Sequence, residues 1–416
     1  MKWPFGKFED VALPVKGAIV SGPFGSNIGS RFFVDEGVPI IRGNNLTFGE
    51  RRFIDDGFAF LTEEKAKEFK NCQAVAGDLV FTAAGTIGQV GIIPEDTRFD
   101  RYVISNKQLR VRCDLTKVCP LFLFLWFTTE QMRQHMINQN RGCSIPLINL
   151  GTLRKLPVPL PPLSVQVHIA ATISAYDELM ENNRRRIALL EESARLLYRE
   201  WFVRLRFPGH QHCSVTDGLP NGWERVAFPD AVDFLEGPGL RNHQYREEGI
   251  PFLNIRTIKD DEIDFSKVQY LDDNEVESRY THFLLAEDDH VVSSSGTLGR
   301  VVTIRACHLP VMLNTSLIRM RAKSRIATWF LKSYLKYGDF LDHVTSMATG
   351  AAQLNYGPMH LNALKLNVPS FTVLELFEEQ ASGIFRQIKT LLDINLKLRA
   401  ARDLLLPRLM SGEVEV

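Results

Sequence analysis

Positive side chains gather in four places along the sequence: Arg51 and Arg52; Lys107, Arg110 and Arg112; Arg241, Arg246 and Arg256; and Arg319, Arg321, Lys323 and Arg325. Close by stand residues suited to reading base edges. Arg42, Asn44, Asn45, Thr86, Asn106 and Ser144 lie in the first half, and Arg241, Asn254, Arg256, Thr297, Asn314 and Gln353 in the second. Guanidinium and ammonium groups neutralise phosphate oxygens, and amides and hydroxyls exchange hydrogen bonds with bases, so the mixture fits nucleic acid. A single cluster of this kind is commonly a solvated face. These recur in both halves, each time near a Gly-Thr-x-Gly loop, at residues 85–88 and 296–299.

Catalytic signatures are missing. The sequence holds no Walker phosphate loop, no HExxH, no G-x-S-x-G elbow and no Asn-Pro-Pro or Asp-Pro-Pro of an amino-methyltransferase. His210-Gln211-His212-Cys213 has ligand types but no second cluster nearby, and reads as a linker rather than a metal site. Pro229-Asp230 and Glu63-x-Lys65 are nuclease-like fragments in different halves, which chance explains. The expectation is a non-catalytic chain that binds no metal or cofactor.

Lys plus Arg and Asp plus Glu each total 49, so the net charge is zero and any contact with DNA must use local patches. The six cysteines include no CxxC pair, which suits a reducing compartment. The longest apolar run, residues 121–127, is too short for a bilayer, and the first residues lack the apolar core of a signal peptide. A cytoplasmic protein is expected.

The elements that must hold these clusters are organised by two long helices. Over residues 163–206, apolar positions alternate in spacings of four and three through Ile173, Met180, Asn183, Ile187, Leu190 and Leu197, the seam of a coiled coil. Adding 208, half the chain length, gives a second seam through Ile388, Leu391, Asn395, Leu398 and Leu405, with Ile384 on the same line and Arg402 out of character. If Asn183 faces Asn395 the helices run antiparallel, with a pseudo-two-fold axis at the middle of the first, and the buried amides fix the register. Leu189, Leu196, Val203, Leu396 and Leu404 lie off the seam, and are candidates for docking a partner.

The rest reads as α+β: two mixed globular units separated by an antiparallel coiled-coil pair, with an internal repeat. The expected division is 1–155 for the first globular unit, 156–208 for a proline joint and the first long helix, 209–363 for the second unit, and 364–416 for a joint and the second helix. Strands are expected at 38–42, 78–82, 90–93 and 109–112, and helices at 62–69 and 120–138. Leu156-Pro157-Val158-Pro159-Leu160-Pro161-Pro162 makes a stiff joint that aims the first helix away, with Ser164 as its cap; Thr372 and Glu375 make a capping box for the second. Asp35-Glu36-Gly37-Val38-Pro39 returns as Glu247-Glu248-Gly249-Ile250-Pro251, and Gly142 is matched by Gly350.

Several of these stretches together resemble the specificity subunit of type I restriction-modification enzymes, over essentially the whole chain. They are Ser21-Gly22-Pro23-Phe24-Gly25-Ser26 with Gly37-Val38-Pro39-Ile40-Ile41-Arg42-Gly43-Asn44-Asn45-Leu46; Gly237-Pro238-Gly239 with Gly249-Ile250-Pro251-Phe252-Leu253-Asn254-Ile255-Arg256-Thr257; the proline joint; and the closing Ala401-Arg402-Asp403-Leu404-Leu405-Leu406-Pro407-Arg408-Leu409-Met410-Ser411-Gly412. The resemblance implies two target recognition domains reading the halves of a split asymmetric DNA site, a coiled coil that spaces them, and docked modification subunits, two in number, carrying S-adenosylmethionine. It also implies restriction subunits that use ATP and Mg²⁺. The second joint keeps only one of four prolines and Arg402 interrupts the second seam, both departures from the pattern. The alternative is a protein-protein adaptor scaffold, which zero net charge also suits.

Overall fold

The three-four spacing builds what it predicts. In the computed structural model, which describes residues 3–49, 51–139, 147–259, 261–348 and 354–414, the long helices span Leu163–Tyr198 and Phe371–Ser411. The first continues into a π-helical turn, Arg199–Val203. Both start earlier than their cap signals suggest. Gln166 N–H already bonds Pro162 O at 3.1 Å and Leu374 N–H bonds Ser370 O at 3.0 Å, so Ser164 and Thr372 lie inside the first turns. Pro407 sits within the second helix, which closes at Gly412, in the left-handed conformation with φ of 74°.

The chain divides into two compact units, Met1–Met180 with Lys397–Val416, and Glu181–Leu396, a division that falls inside both helices. In the first unit, a four-stranded antiparallel sheet has the order Ile19–Ser21, Gln108–Val111, Leu79–Thr82, Val90–Ile92. A second sheet has the order Ala59–Leu61, Val38–Ile41, Tyr102–Ile104, Gln73–Ala74, with its central pair parallel. The Pro157–Pro159 joint is a strand pairing with Phe5–Lys7. Beyond it the helix does not aim away from the unit: Ile169, Ala170 and Ile173 are buried in the same core cluster as Phe8, Phe81, Phe122 and Phe127. Leu409 and Met410 of the second helix complete that cluster.

The helix expected at 120–138 is two helices, Pro120–Thr128 and Glu130–Asn138. Thr129 breaks it with extended backbone, and its hydroxyl caps the second helix by accepting from Met132 N–H. The helix Glu63–Glu68 is opened by Thr62, which accepts from Lys65 N–H at 3.2 Å.

In the second unit the antiparallel sheet runs Val232–Glu236, Leu317–Ala322, His290–Ser293, Val301–Thr303, the same order as in the first. A further sheet, Gln269–Leu271, Ile250–Leu253, Met312–Leu313, repeats the parallel pair, here with Met312–Leu313 at the edge. The second joint, Lys365–Val368, pairs with Glu224–Ala227, so strand pairing holds it where prolines are few. Gly37 and Gly249 explain one shared motif. Both have positive φ, and a Cβ would collide with the carbonyl oxygens of Leu61 and Leu271 respectively.

The two long helices meet within each unit. In the second, Asn183 Nδ2 donates to Asn395 Oδ1 at 2.9 Å, and Asn183 is buried. In the first, Arg402 Nη1 donates to Asp177 Oδ1 at 2.9 Å, so the out-of-character seam residue has an acidic partner on the facing helix. Ile173, Met180, Ile388 and Leu391 are buried; Ile187, Leu190, Leu197, Ile384, Leu398 and Leu405 are half-buried. Tyr198 and Phe385, off the seam, are buried against Phe330 and Trp329, so the helices pack on the globular elements as well as on each other. Among the described residues no helix is long and apolar enough to cross a membrane.

Candidate nucleic-acid interface

The parallel strand pair of each unit brings the candidate residues to one edge. In the first unit, Val38–Ile41 and Tyr102–Ile104 run parallel, so Arg42 and Ser105–Asn106 leave the sheet at the same end. Leu79–Thr82 ends there too, and Ala83 N–H bonds Lys107 O at 2.7 Å, which joins the 105–107 turn to the Gly85-Thr86-Ile87-Gly88 loop. Asn44, Thr86, Asn106 and Lys107 are exposed on this edge. Asn44 Nδ2 and Arg42 Nη2 both donate to Gly57 O, at 3.2 and 3.3 Å.

The second unit builds its edge the same way. Ile250–Leu253 and Met312–Leu313 run parallel, ending at Asn254 and Asn314. Ser316 links them: its hydroxyl donates to Asn314 Oδ1 at 2.6 Å and accepts from Ile255 N–H at 3.0 Å. Asn254 Oδ1 accepts from Arg256 N–H at 2.8 Å, and Arg256 itself is exposed. Ser294 N–H bonds Ser316 O at 3.0 Å and leads into the 296–299 loop, where Thr297 is exposed. Arg241, also exposed, opens a short turn beside the sheet.

Asn45 has a different job from the one its type suggests. It is fully buried, accepts from Arg42 N–H at 2.9 Å and donates to Ile54 O and Asp56 O. The same tie, a side chain accepting from the N–H three residues back, recurs at Gln244 on Arg241, Thr257 on Asn254 and His308 on Arg305. Each acceptor is buried, which satisfies a turn N–H that water cannot reach.

Two basic clusters are also structural. Asp78, buried, accepts from Arg112 Nε at 2.9 Å and Nη2 at 2.7 Å, and lies 3.8 Å from Arg110 Nε. Burial pushes the Arg110 guanidinium below its usual range, while the hydrogen bonds that Arg112 donates to Asp78 hold its own guanidinium above it. In the second unit Asp289 takes Arg321 in the same way, Arg319 pairs with Asp233, Lys323 donates to Pro229 O, and Arg325 pairs with Glu224. These cations brace strands and are not an open patch. Lys107, Arg241 and Arg256 keep exposed side chains that pair with no carboxylate among the described residues.

Ser144 and Gln353, with Gly142 and Gly350, lie outside the described residues. His210–His212 form a short turn, and Cys213 Sγ is 3.6 Å from Asn221 O. Among the described residues no group of three or more His, Cys, Asp or Glu is placed to hold a metal. Leu189, Leu196, Val203, Leu396 and Leu404 are all exposed.

The fold has a solved counterpart: a type I restriction-modification system S subunit from M. genitalium, 14% identical, matches with a TM-score of 0.58 and covers 98% of this chain and 96% of that one. Residues 30–192 match the model of the type I restriction modification DNA specificity domain. The chain is similar over most of its length to type I restriction enzyme specificity subunits, in keeping with the resemblance its motifs carry. Among its relatives is the type I restriction enzyme MjaIX specificity subunit of Methanocaldococcus jannaschii, 22% identical, over 91% of this chain and 87% of the relative. Another is the HindI specificity subunit of Haemophilus influenzae, 21% identical, over 77% and 83%.

Proposed function

We propose that this chain is the non-catalytic DNA reader of a type I restriction-modification complex, each globular unit reading one half of a split, asymmetric site. The carrying observation is that both units build one edge from the ends of a parallel strand pair and share an exposed loop threonine there, Thr86 or Thr297, yet expose different side chains around it: Asn44, Asn106 and Lys107 in one, Arg241 and Arg256 in the other. The same scaffold with different readers suits a site whose halves differ. Recognition domains at 1–155 and 209–363 are then joined by the two helices as an antiparallel coiled coil, supported by the Asn183–Asn395 bond and the Asp177–Arg402 pair.

The coiled coil spaces the readers, and its exposed Leu189, Leu196, Val203, Leu396 and Leu404 dock modification subunits. S-adenosylmethionine belongs to those subunits, ATP and Mg²⁺ to the restriction subunits, and the complex works in the cytoplasm. The test inserts one heptad into each helix, after Met180 and after Leu396. Seven residues lengthen a helix by about 10 Å, which is about three base pairs of B-form DNA. Methylated adenines mapped with the assembled complex should show both half-sequences kept and the gap between them changed; an unchanged gap removes the ruler.

A further inference from the structure

The edges of the two units differ in the length of one loop. Gly22 N–H bonds Gln108 O at 2.9 Å, Gly237 N–H bonds Leu317 O at 3.2 Å, and each glycine is followed by a proline. On the far side of the loop, Ile28 is buried in one core cluster and Leu240 packs on another. Between these matched points the first unit has Phe24-Gly25-Ser26-Asn27 and the second has Gly239 alone. The longer loop forms its own turn, Gly25–Asn27, with Asn27 N–H bonded to Phe24 O at 2.9 Å.

Phe24 opens that turn and is 84% exposed. The loop beneath it is braced. A Cβ on Gly22 would collide with the Ser105 carbonyl, one on Gly25 would come within 2.9 Å of Asn106 Nδ2, and Arg31 Nη2 donates to Ser26 O at 3.1 Å. The ring is therefore held outward by a fixed loop that rests on the turn carrying Asn106 and Lys107. Among the described residues Arg31 and Lys107 have no carboxylate partner, so the ring stands in a cationic, amide-bearing setting. That combination suits a ligand with negative charge at its rim and flat apolar surface within, which is the chemistry of bases between phosphates.

We propose that Phe24 makes an apolar contact with the bases of one half of the target, a specificity-determining contact that the second unit lacks. The inference rests on the chain being a DNA reader. An aromatic ring gains from a thymine methyl group or from the faces of a partly opened base step, and phosphates offer neither. Its loss should therefore depend on sequence rather than on salt.

The test uses the full chain assembled with its modification subunits, and the duplex defined by mapping methylated adenines. Phe24→Ala should weaken binding to that duplex about ten-fold and reduce the penalty for changing one or two adjacent base pairs in one half, with the other half's penalties as in wild type. Phe24→Leu should recover part of both effects, and thermal unfolding of each variant should match wild type. Wild-type affinity and discrimination in Phe24→Ala would overturn the proposal, as would an equal loss on every duplex. A wild-type complex with no preference for any split duplex would overturn the DNA-reading function itself, and so is told apart from failure of the Phe24 contact alone.

Discussion

Asp78→Ala removes the carboxylate that ties two strands of the first unit to their arginines. Its side chain is 2% exposed and accepts three hydrogen bonds, two from Arg112 and one from Val75 N–H at 3.0 Å. Arg110, with 4% of its side chain exposed, would keep only the backbone oxygens of Gly17, Ala18 and Asn71. Removing one partner of a buried charge pair costs about 3–5 kcal/mol, because the other charge stays buried. Arg112 is more exposed and recovers water, so the lower half of that range, about 3 kcal/mol, is expected. Asp78→Asn keeps an acceptor for Val75 and should cost about half as much. Hydrogen exchange localises the effect. Three kcal/mol corresponds to an increase of roughly a hundred-fold in exchange through unfolding of the first unit, read in peptides spanning 74–82 and 108–113. Peptides around Asp289 and Arg321, the corresponding pair of the second unit, should be unchanged. A loss below about 1 kcal/mol, or equal deprotection in both units, would refute the view that this clasp holds its own unit together.

Lys107→Ala and Arg256→Ala should each lower the salt slope of DNA binding by about one, measured by titration across ionic strengths, whereas Arg321→Ala should leave the slope alone and lower stability. If both exposed variants keep wild-type binding at every salt, the adaptor alternative gains. Acid should destabilise the second unit partly through His308, whose imidazole is pushed down to about 4 by burial and by Arg305. The unfolded chain, with an imidazole near 6.5, takes up a proton that the folded state refuses. This contribution is whole above pH about 6.5 and lost as the pH falls towards 4. His308→Asn keeps an acceptor for Arg305 N–H and should flatten that part of the stability profile, followed by urea unfolding between pH 4 and 7.

Features set by local spacing could be read from the chain alone. The helix seams, the Thr62 cap, the strand positions at 38–41 and 79–82 and the repeated glycine motifs depend on neighbours a few residues away, or on a backbone shape only glycine adopts. Features set by distant partners could not. Arg112 and Arg321 resemble phosphate ligands until Asp78 and Asp289 are placed beside them, and Arg402 is awkward until Asp177 faces it. Asn45 belongs with these: its type fits base reading, but it is buried and its amide bonds the backbone. Thr129 breaks a helix that propensity favours, because its hydroxyl serves better as a cap. Phe24 sits within the Ser21–Ser26 motif, and its exposure, which the sequence does not carry, is what singles it out.

The first unit is closed by residues 397–416, with Leu409 and Met410 buried among its phenylalanines and Leu409 O accepting from Trp3 Nε1 at 3.4 Å. On the ribosome this reverses the order of completion. The first unit waits for a helix made after the second unit, while Glu181–Leu396 already holds its own core. Released chains truncated before residue 397 should therefore protect the second unit and leave the first open to protease.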